Sequence, residues 1–103
     1  MEKERIENVR KMEDILNKMN ELQEKLTKAV DEWHQALPEY RQLVEYYSNP
    51  QWQKDYDASN KGLFPEDLPQ GVLSEDAIYE VIGTQQDLGI HLVKVGIEAV
   101  EKA

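Results

Sequence analysis

The apolar positions of the first third of the chain fall at helical steps. Met12, Leu16, Met19, Leu22, Leu26, Val30, Trp33 and Leu37 recur three or four residues apart, which predicts an amphipathic helix over about 3–36. The pairs Glu7–Lys11, Asp14–Lys18, Glu21–Lys25 and Glu24–Lys28 place an acid one turn ahead of a base. Each such pair adds ~0.2–0.5 kcal/mol on a solvent face. Pro38 cannot continue the backbone ladder, yet Tyr40, Leu43, Val44 and Tyr47 keep helical spacing beyond it. A second helix is therefore expected over about 38–48. Ser48-Asn49-Pro50 reads as a stop followed by a start, a capping residue and then proline at the first helical position. It predicts a short helix over about 50–59. Gly62, Pro65, Pro69 and Gly71 exclude a long element over 60–73. Ser74, an N-cap followed by Glu75 and Asp76 against the positive end of the dipole, opens a long helix over about 75–101.

At 100° per residue, the last helix has one polar stripe, Glu80, Thr84, Asp87, His91, Lys94, Glu98 and Glu101. Most of the remaining circumference is apolar, including Ile78, Val81, Leu88, Leu92, Val95 and Val100. So wide an arc predicts cover on more than one side. Gly89 and Gly96 lie one heptad apart at its centre, each costing up to ~1 kcal/mol relative to alanine. Close approach of another backbone, within the monomer or across a dimer, accounts for them. Gly89, Leu92, Gly96 and Val100 are the candidate oligomer interface.

Composition sharpens this division. All eight aromatics, Trp33, Tyr40, Tyr46, Tyr47, Trp52, Tyr56, Phe64 and Tyr79, fall between positions 33 and 79. Residues 37–77 also carry 3 basic against 8 acidic residues, more than half of the net charge of −9. Aliphatic arms thus flank an acidic, aromatic middle. The negative charge argues against binding nucleic acid or anionic membrane. No run reaches the ~18 apolar residues that span a bilayer. Cysteine is absent, which excludes disulfides, thiol catalysis and cysteine-based zinc sites. The charged start, Met1-Glu2-Lys3-Glu4-Arg5, lacks the apolar stretch of a signal peptide, and a soluble cytoplasmic protein is expected.

Candidate chemistry is sparse. In 55–66, Asp55, Asp57, Ser59 and Glu66 have the spacing of oxygen ligands in an EF-hand calcium loop. Against it, Asn60 stands where the loop needs glycine, Gly62 where it needs an aliphatic residue, and Pro65 and Pro69 leave little room for an exiting helix. A helix running into a polar loop explains the segment better. His34 follows Asp31 by three, but bundle di-metal sites need two such pairs and further carboxylates. His91 lies on a polar stripe, and no triad or phosphate loop is present. The balance is against an enzyme, and no cofactor is expected. Glu75 and Asp76 are accounted for by the helix N-terminus they begin. If a binding site exists, its candidates are Tyr46, Tyr47, Trp52, Asp55, Tyr56, Glu75, Asp76 and Tyr79, at the acidic aromatic end. Of the aromatics, Trp33, Trp52 and Tyr79 are expected in the core, with Tyr46 and Tyr47 open.

Tyr46-Tyr47, Trp52-Gln-Lys-Asp55-Tyr56 and Leu68-Pro-Gln-Gly71-Val-Leu-Ser74-Glu75-Asp76-Ala-Ile78-Tyr79 resemble a bacterial family of short helical proteins catalogued as a domain of unknown function. The likeness covers nearly the whole chain and is most specific from Trp52 to Tyr79. It implies an all-α bacterial protein and brings with it no activity, cofactor or catalytic residue.

The expected architecture is a single all-α domain, an antiparallel helical bundle with two long helices and short connecting helices. The expected function is a protein–protein interaction module, a homodimer or the partner of another protein. The alternative is a small-molecule or divalent-metal-binding protein using the acidic aromatic end.

Overall fold

A computed structural model describes residues 2–101. The chain is all-α: α1 spans Lys3–Gln35, α2 Leu37–Tyr47, α3 Pro50–Asn60 and α4 Glu75–Glu101, with a single 3-10 turn at Gly71–Leu73. No strand occurs among the described residues. The chain divides into two compact units, Met1–Pro38 and Glu39–Ala103.

The first unit is essentially α1. At 1.5 Å per residue its 33 residues make a rod of about 50 Å. Gln35 ends it, and the Ala36 N–H turns back to the carbonyls of Glu32 and Trp33. Pro38 falls in the first turn of α2, where a missing N–H disturbs the ladder least. Glu21 and Lys25 pair at 3.1 Å, an exposed contact worth about 0.3–0.5 kcal/mol. No residue of α1 is buried. Its apolar stripe, from Ile6 through Met12, Leu16, Met19 and Leu22 to Leu26, lies exposed, and only Val30 and Trp33 are half-buried.

In the second unit, local chemistry closes each element. Ser48 finishes α2, its Oγ donating to the Val44 carbonyl at 2.9 Å. Asn49 then caps α3: its backbone is extended and its Oδ1 accepts the Gln51 N–H at 2.7 Å, with Pro50 at the first helical position. At the far end Gly62 takes φ +70°, a conformation that costs glycine nothing and an L-residue about 1 kcal/mol. The Leu63 N–H bonds to the Ala58 carbonyl and the Gly62 N–H to the Ser59 carbonyl. That pair of bonds around a left-handed glycine is the Schellman motif.

Trp52, Leu73 and Ile78 are the buried core, with Leu43, Tyr46, Tyr47, Tyr56, Phe64 and Ile82 packed around it. Leu73 and Ile78 straddle Ser74, whose extended backbone (ψ 135°) precedes the first residue of α4. A hydrophobic residue before the N-cap, packed with the fourth residue after it, fixes the angle at which a chain enters a helix. Thus the 3-10 turn delivers α4 to the core, where Ile78 is buried and Ile82 packs alongside.

Candidate functional site

The acidic aromatic end is built on Trp52. Asn49 and Pro50 start α3 so that Trp52 lies on its first turn, directed at the 3-10 turn. The indole Nε1–H donates to the Val72 carbonyl at 2.9 Å, while the ring meets Tyr47 edge-on (76°) and stacks on Tyr56 (20°), each at 5.1 Å between centroids. These separations are those at which aromatic pairs attract beyond simple burial. Only 8% of Trp52 remains accessible, so its faces and its polar edge are satisfied within the protein.

Asp55, one turn on, is half-buried and engaged at both oxygens. Oδ2 accepts the Tyr46 hydroxyl at 2.6 Å, and Oδ1 accepts the Gln51 amide at 2.9 Å. Burial, then the hydrogen bond to Asp55, then the charge of that carboxylate push the Tyr46 hydroxyl up to about 12. All three disfavour a phenolate beside a carboxylate. Tyr46 is therefore a hydrogen-bond donor throughout the physiological range. Asp57 Oδ1 accepts from Gln53 at 3.1 Å, and the Ser59 hydroxyl donates to Gln70 Oε1, tying α3 to the loop before the 3-10 turn.

Asp55, Asp57 and Ser59 belong to α3 and Glu66 lies beyond Gly62, so the calcium-loop spacing is read out as helix followed by turn. Among the described residues no group of three or more histidine or carboxylate side chains is placed to hold a metal ion. Tyr46, Tyr47, Trp52, Asp55 and Tyr56 do come together, as packing. Glu75 and Asp76 stand exposed in the first turn of α4. Tyr79 corrects an expectation: its aromatic character predicts a core position, and it is 72% exposed. It follows Ile78 by 100° of helix rotation, and Ile78, 2% exposed, takes the inward direction. Sequence reasoning misses Leu73 and Val72 because the Pro/Gly stretch has no periodicity. The signal that would find Leu73 is an apolar residue on each side of the Ser74 cap.

On α4, Gly89 and Leu92 are half-exposed and Gly96 and Val100 exposed. A Cβ built on Gly89 or Gly96 meets nothing within 4 Å.

These features define the protein as a small all-α chain with a closed aromatic knot and long amphipathic helices; among the described residues no helix is long and apolar enough to cross a membrane. More particularly, the chain belongs to the DUF4298 family, a domain of unknown function whose family model matches residues 9–95. No curated protein and no solved structure matches it.

Proposed function

We propose that this protein is a small cytoplasmic protein–protein interaction module that self-associates. The observation that carries this reading is the exposure of the apolar residues along both helices. The stripe of α1 is uncovered from Ile6 to Leu26, and α4 leaves Val81, Leu88, Ile90, Val93, Ile97 and Val100 exposed. Helices in proteins owe little of their stability to propensity and most of it to burying an amphipathic face. The apolar arc of α4 is wider than a single neighbouring helix covers, and a second chain covers the remainder. An apolar contact surface on an otherwise acidic protein of net charge −9 is suited to protein and ill suited to nucleic acid.

The alternative, a small-molecule or divalent-metal site at the aromatic end, asks Trp52 and Asp55 for an open cleft. Trp52 is instead packed with Leu73 and Ile78, and both Asp55 oxygens are already bonded. Light scattering coupled to size-exclusion chromatography, from micromolar to several hundred micromolar protein, tests the proposal. A mass of twice 12.0 kDa or a higher multiple is expected, and a strict monomer over the whole range overturns it.

A further inference from the structure

We draw no further inference here: the strongest candidate, the exposed apolar surface of the C-terminal half of α4, where a Gly-Ile-x-x-Val step occurs twice at 89–93 and 96–100, carries none because nothing in the structure shows what covers it.

Discussion

Replacing Trp52 by phenylalanine tests whether the aromatic end is held by the indole as a whole or merely by an aromatic ring. The substitution keeps a ring between Tyr47 and Tyr56 but removes the Nε1–H that reaches the Val72 carbonyl at 2.9 Å. That contact is only part-buried, so water recovers some of the loss, and the deficit is about 1 kcal/mol. The smaller ring also leaves space where Leu73 and Ile78 close on Trp52, adding about 1 kcal/mol. The total of ~2 kcal/mol corresponds to a fall in melting temperature of roughly 8–16 °C for a cooperative unit of 60–100 residues. Trp52→Ala loses the ring as well and should cost about 3–5 kcal/mol. Near-UV circular dichroism is the appropriate probe, since seven of the eight aromatics lie between Tyr40 and Tyr79 and report on this unit. Val72→Ala is the control: it trims an exposed side chain and keeps the carbonyl acceptor, so its melt should move by less than a third as much. A Trp52→Phe protein melting within about 3 °C of wild type would refute the claim that the indole organises this end.

Other changes follow from the same geometry. Because the Tyr46 hydroxyl is raised to about 12 from 10.0, the protonated form is favoured in the folded state. Its contribution is complete below pH 10 and is lost as pH rises towards 12, and urea titrations across that window should show the decline in wild type and a smaller one in Tyr46→Phe. Gly62→Ala places a side chain at φ +70° and should cost about 1 kcal/mol or slightly more, read by thermal melting. Asn49→Ala removes the cap on the Gln51 N–H and should cost a similar ~1 kcal/mol, with Asn49→Asp restoring most of it. Millimolar calcium should leave the melting temperature unmoved, since Asp55 and Asp57 are already bonded along α3.

What is legible in the chain depends on whether a signal is local. Asn49-Pro50 and Ser74-Glu75-Asp76 announce helix starts through chemistry completed within three residues, and α3 and α4 begin there. The calcium-loop spacing shows the converse. Aspartates at alternate positions are equally compatible with a loop and with the flank of a helix. The decision belongs to Asn49 upstream and Gly62 downstream, which close α3 from both ends. Trp52 is recognisable as core from its size and its place in a short helix. Its partners Val72 and Leu73 are not, because they come from a segment without periodicity. Tyr79 misleads for a related reason: aromatic character argues for burial, but rotation about α4 has already given the inward direction to Ile78.

The two halves of α4 solve different problems with the same helix. From Glu75 to Ile82 it answers to the core: Leu73 fixes its entry, Ile78 is buried, and Ile82 packs alongside. From Leu88 onward the chain keeps aliphatic side chains, several of them exposed, and accepts two glycines that weaken the helix by up to ~1 kcal/mol apiece. Had solubility and helix stability been the only demands, alanine, lysine and glutamate would satisfy both at lower cost. The departure is regular as well as costly, falling twice in the same order at a spacing of one heptad. Irregular apolar exposure needs no explanation beyond chance, because much of any protein surface is apolar. A repeated glycine with the same neighbours each time does need one, and the self-association proposed above is the reading that offers it.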